Sequence, residues 1–160
     1  MNIQTKKSDL HTGIKDEESV AGALASVLSD TYRLLIKTHV YHWNVEGPTF
    51  YSIHQLTEDQ YQDLFEATDE IAERIRALGE KTPSKISGIT DGSVIGETVD
   101  PTDAEALVSD LAKDHERIAH RFHALIKLSG HQGDPVTEDM ATARSAFHEK
   151  AAWMLRAIVS

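Results

Sequence analysis

The sequence contains no cysteine. That absence excludes disulfides, thiolate metal sites and cysteine nucleophiles, and it fits a reducing, cytoplasmic setting. Proline occurs four times in 160 residues, so few breaks interrupt the regular structure. No apolar run approaches the roughly 20 residues needed to span a bilayer. The first fifteen residues, MNIQTKKSDLHTGIK, lack the apolar core of a signal peptide. Convincing strand patterns are missing too, so no Gly-rich phosphate loop follows a strand, and nothing resembles a nucleophile elbow. The zinc-protease pattern HExxH is also absent.

Acid, histidine and helical periodicity are plentiful. The formal net charge is −10, with 26 acids and nine histidines. Such a surface repels DNA, attracts cations and supplies hard and borderline metal ligands. Residues 1–16 read as a flexible tail whose Lys6, Lys7 and Lys15 stand against few acids. Residues 17–160 read as one domain, which is the size this length supports.

That domain divides into four long segments of 3.6-residue period. The first runs from about residue 17 to 45, with Val20, Leu24, Val27, Thr31, Leu34, Leu35, Thr38 and His42 on one face. The second runs from about 50 to 78, with Tyr61, Leu64, Phe65, Thr68, Ile71, Ala72, Ile75 and Leu78 as its stripe. Gly79 follows it as a stop. The third opens on a capping-box pattern, Thr102 to Glu105, and continues through Leu107, Leu111, Ile118, Phe122, Leu125 and Ile126 towards Gly130. The fourth starts at Asp134-Pro135 and carries Val136, Met140, Ala143, Phe147, Met154 and Ile158. The expected architecture is an all-α four-helix bundle. The long connection over residues 82–101, with room for one short helix, is compatible with a crossover that sets the second and third long helices parallel.

Two sets of residues carry the candidate chemistry. His39 and His42 lie near the end of the first segment, and the second holds His54, Glu58, Asp69 and Glu73. At about 100° per residue, with His54 at zero, Glu58 falls near 40°, Asp69 near 60° and Glu73 near 100°. The apolar stripe is centred near −60°, so these four form a second stripe flanking it. His54 and Asp69 stand about 22 Å apart along the axis, too far for one metal within one chain. Packing this helix antiparallel against a copy of itself would bring His54/Glu58 to Asp69/Glu73 and create two equivalent sites. The spacing permits that arrangement without demanding it. An i, i+4 His–Glu pair is common on solvated helices. Like charges at i, i+4 destabilise a helix unless cations compensate, as Arg74 and Arg76 could through Glu70 and Glu73. A histidine on an apolar stripe is often a hydrogen-bonded core residue. Tyr41 and Trp43 read as packing, or as redox-active aromatics near the site.

The motif His42-Trp43-Asn44-Val45-x-Gly47, then Phe50, His54, Asp69-Glu70-Ile71-Ala72-Glu73-Arg74 and Leu78-Gly79, resembles the Dps family of miniferritins. The likeness is densest over residues 37–79 and extends through Asp134-Pro135 and Lys150-x-x-Trp153 to nearly all of 17–160. It implies a ferritin-like fold, although the ExxH pairs of ordinary ferritin bundles are missing from the second segment. It further implies a ferroxidase site with His42, His54 and Glu58 from one subunit and Asp69 and Glu73 from its two-fold mate. Glu58 is a departure, because that position is often aspartate; the longer side chain would shift the metal. His39 lies outside the general pattern and is an accessory candidate. The resemblance also implies a homododecameric cage storing ferric mineral, with Fe(II) oxidised preferentially by hydrogen peroxide in protection against oxidative stress. Zinc and manganese are expected surrogates for iron. Asp134, Glu138 and Asp139 are candidates for a three-fold pore or for an acidic helix cap, and Asp59 for mineral nucleation or a solvated role. DNA binding rests on the three tail lysines and is expected to be weak or absent at physiological salt. A nucleoid-binding protein with an incidental metal site is the alternative, and a helical assembly protein with a degenerate site is a third reading.

Overall fold

The computed structural model describes residues 10–160; Lys6 and Lys7 lie outside them. The helices are α1 (Glu17–Asn44), α2 (Phe50–Ala77), the short α3 (Ile86–Thr90), α4 (Ala104–Gln132) and α5 (Pro135–Ile158). None is long and apolar enough to cross a membrane.

Local chemistry sets the boundaries. Asp16, Asp103 and Asp134 cap α1, α4 and α5 by accepting from the backbone N–H groups of Ser19, Ala106 and Thr137. The cap of α4 is therefore Asp103, not the expected Thr102, which instead bonds to Asp100 through its hydroxyl and its N–H. Helix α4 also runs past Gly130 and stops at Gly133, whose φ of 73° supplies the left-handed C-terminal turn. Gly79, at φ 84°, does the same after α2.

Contacts along the helices fix their directions. On α1, Asp30, Lys37 and Tyr41 pair in turn with Arg121, Asp114 and Asp110 of α4, so those helices are antiparallel. On α2, Asp63 and Arg74 pair with Arg144 and Asp134 of α5, so those are antiparallel as well. Short links make α1–α2 and α4–α5 hairpins. Helices α2 and α4 consequently run parallel, and the 26-residue stretch between them, 78–103, is the crossover. Asp30, fully buried, anchors it by accepting from Ser93 Oγ, Val94 N and Arg121 Nε. Arg33 Nε donates to the Ile95 carbonyl, and Val99 N donates to the Tyr41 hydroxyl.

The α1 stripe is buried as expected. Two expected core assignments need correction. Phe65 is 66% exposed and lies beside the candidate ligands on α2. On α5 the inward face is Thr137, Ala141, Arg144, Ser145, His148, Ala151, Ala152 and Leu155, while Val136 is 56% exposed. The true inward face carries four polar residues, so the apolar pattern pointed to its flank.

Candidate metal centre

The α1–α2 turn brings His42 and His54 into contact. Their rings stack at 3.7 Å between centroids, 17° from parallel. Each Nδ1 lies 2.9 Å from the main-chain carbonyl of the other histidine. A carbonyl only accepts, so each Nδ1 carries a proton and donates; in the neutral imidazole this selects the tautomer whose Nε2 is bare, with its lone pair free. Thr57, missed in the sequence, completes this support. Its hydroxyl donates to the carbonyls of Ile53 and His54 and stands 3.3 Å from His42 Nδ1. A threonine three residues after a candidate ligand on one helix was the available signal.

Around the pair lies an aromatic layer. Tyr61 meets His42 edge-on at 5.1 Å and His39 at 4.2 Å, and Phe50 stacks on His54 at 5.0 Å. His39 stacks on the exposed Trp43, nearly parallel at 5.0 Å. Burial, and then the neighbouring His42, hold His39 below the ordinary imidazole range. Tyr41 is fully buried and donates to Asp110 at 2.6 Å. Burial and that bond push its hydroxyl pKa upward, which suits an anchor.

The carboxylates are distributed differently. Glu58 is half-buried and accepts from Gln55 Nε2. Asp69 and Glu73 are exposed further along α2, and among the described residues neither has an ion-pair partner. The cations that could have balanced them are engaged elsewhere: Arg74 with Asp134 and Thr137, Arg76 with the Glu80 carbonyl. Within one described chain no group of three or more His, Asp or Glu stands ready to hold a metal. One chain thus presents a histidine-rich half with Nε2 atoms prepared and, separately, an uncompensated acid pair.

Of the remaining candidates, Asp134 is fully buried as the α5 cap. Burial opposes its ionisation, but hydrogen bonds from Thr137 and Arg74 and the Arg74 charge outweigh this and hold its carboxyl below the usual range. Glu138 is half-buried; Asp139 and Asp59 are exposed. Lys15 is tied to the end of α4, its N–H to the Gln132 carbonyl and its Nζ to the His131 carbonyl.

A ferritin-like domain model matches residues 21–160. A DNA protection during starvation protein of Bacillus anthracis is 32% identical over 89% of the chain and 98% of its own length. This chain belongs to the Dps family. A low temperature-induced protein of Nostoc sp. is similar to this Dps chain, with 37% identity over 94% of the chain and 86% of that relative. The fold agrees with the crystal structure of Dps from Staphylococcus aureus at a TM-score of 0.85 and 29% identity, covering 89% of this chain and 96% of that one. It agrees equally, at 0.85 and 29%, with the Dps protein of Vibrio cholerae O1, described as a ferritin-like diiron-carboxylate protein, over 91% of both chains.

Proposed function

We propose that this Dps chain is the subunit of an iron-storing, iron-detoxifying cage, with Fe(II) as the substrate of ferroxidase sites shared across a two-fold axis. The observation that carries this reading is the reciprocal bond between His42 and His54, which selects the tautomer of each neutral ring that leaves Nε2 available to a metal. His42, His54 and Glu58 form one half. Asp69 and Glu73 of a second copy form the other. The positions are self-complementary: 54 and 73, like 58 and 69, are symmetric about a point between Asp63 and Leu64. Two antiparallel α2 helices crossing there bring each half to its complement. Phe65, next to that point and 66% exposed, gives such an interface an apolar centre.

The donor set suits the substrate. Neutral imidazoles and carboxylates bind Fe(II), with Zn(II) and Mn(II) as competitors, and the carboxylates stabilise the extra charge of Fe(III). Two Fe(II) ions each give one electron to one hydrogen peroxide, breaking its O–O bond. With two waters the products are two FeO(OH) and four protons, with no hydroxyl radical released. A dodecameric cage in the cytoplasm would hold the mineral, with Asp59 as nucleation candidate and Glu138 and Asp139 near the entry route. DNA binding is proposed to be weak, since the body is acidic and Lys15 is engaged within the fold.

The test is anaerobic loading with Fe(II), addition of peroxide, and parallel measurement of ferric absorbance and size-exclusion mass. Protein-dependent oxidation by a multimer is expected, together with its loss in Asp69→Ala. A monomer without activity, or an Asp69→Ala variant as active as wild type, would sink the reading.

A further inference from the structure

The inward face of α5 carries a second, unrelated cluster. His115 of α4 and His148 of α5 are both fully buried, with their Nδ1 atoms 2.8 Å apart. Two lone pairs do not meet at that distance, so one imidazole carries its proton on Nδ1 and donates to the other. The donor ring is then left with a bare Nε2, and the acceptor ring with an Nε2–H. Neither Nε2 has a hydrogen-bond partner in the protein. Arg144, 8% exposed, donates from Nη1 to Asp63, while its Nε and Nη2 find no partner. Gln60 of α2, 3% exposed, has no partner for either atom of its amide.

Three of the four residues that carry these atoms pack against one ring, Phe147. The guanidinium of Arg144 lies 4.4 Å over it. His115 and His148 meet it edge-on at 6.0 and 5.1 Å. Gln60 and Phe147 together line a cleft of about 290 Å³ between α2 and α5, with Asp59, Asp63 and Lys150 at its walls. Six buried polar atoms without partners would carry a penalty comparable with the whole stability of a domain, so the fold calls for a guest to satisfy them.

The atoms define that guest. Arg144 is balanced by Asp63, and burial together with Arg144 keeps the imidazoles neutral, so a neutral guest fits and an ion does not. Donors are Arg144 Nε and Nη2, the Gln60 amide nitrogen and one histidine Nε2; acceptors are the Gln60 oxygen and the other Nε2. The guest must both donate and accept. A buried hydroxylic oxygen makes about three hydrogen bonds, so six atoms match two oxygens.

We propose that Gln60, His115, Arg144 and His148 form a binding site in the bundle core for a neutral hydroxylic guest of two oxygen atoms, either a pair of waters or one hydrogen peroxide. The water form stands by itself, whereas the biological sense of the peroxide form rests on the proposed ferroxidase reading. All measurements use intact metal-free protein, so failure of the ferroxidase reading does not touch them.

Gln60→Met keeps the shape and removes two of the six atoms. If the amide is satisfied by a guest, the midpoint of thermal unfolding falls by about 2–4 °C. If it is bare, the apolar replacement raises the midpoint, which overturns the proposal. Solid-state NMR of histidine-labelled protein reads the site directly. Contacts from water to both Nε2 atoms, unchanged by millimolar peroxide, identify the water pair. A saturable peroxide-induced shift of His115 and His148, absent in Gln60→Met, identifies peroxide. Absence of both signals would refute the site.

Discussion

Acidification tests the buried histidine pair quantitatively. In the folded chain burial, then the Arg144 charge, pushes His115 down to about 3, and His148, where His115 itself adds to the effect, lies well below its ordinary 6.5. Both folded pKa values lie below the unfolded one, so as pH falls the unfolded chain takes up protons first and stability drops. Between pH 7.5 and 5.5 each histidine costs about 1.4 kcal/mol, or about 2.7 kcal/mol for the two. The depressed carboxyls of Asp100, Glu116 and Asp134 contribute with the same sign only at lower pH, near and below the ordinary carboxyl range. Asp114, whose carboxyl is raised by burial against the pull of Lys37, works in the opposite direction, and His39, lowered by burial and then by His42, adds to the loss with the same sign; both are common to wild type and variant. The assay is denaturant unfolding of metal-free protein at the two pH values, for wild type and His148→Leu. The variant retains one member of the buried pair, so its loss should be smaller than that of wild type by about 1.4 kcal/mol. Equal wild-type stability at both pH values, or an undiminished loss in the variant, would refute the reasoning.

Two further outcomes follow from other contacts. Lys37, 4% exposed, holds both Asp110 and Asp114 at 2.6 Å, so Lys37→Met strands buried charge and should cost about 3–5 kcal/mol by equilibrium unfolding; a loss under 1 kcal/mol would contradict this. Thr57→Val removes the hydroxyl that supports both histidines and should weaken Fe(II) binding about tenfold in anaerobic titrations, with assembly retained; unchanged affinity would show that Thr57 does not position them.

Much of the fold is legible because burial and periodicity coincide. Val20, Leu24, Val27 and Leu34 of α1 are apolar, in phase and buried. The same logic misleads where function and burial diverge: Phe65 is apolar yet exposed on the candidate-ligand face, and Arg144, Ser145 and His148 are polar yet inside. The direction of the crossover has no local signature, since it depends on pairs such as Lys37–Asp114, 77 residues apart. The ligand types and their spacing on α2 are visible in sequence. The reciprocal carbonyl bonds that fix His42 and His54 are not, because they arise only when the α1–α2 turn closes.

The central claim is that each site draws on two chains, and subunit mixing tests it most directly. One variant carries His54→Ala and Glu58→Ala, the other Asp69→Ala and Glu73→Ala; each alone should be inactive. In a mixed dimer one site collects all four changes and the other none. Random equal mixing makes about half the dimers mixed, so about a quarter of wild-type Fe(II) oxidation should return. Mixed assemblies as inactive as either parent would contradict the account.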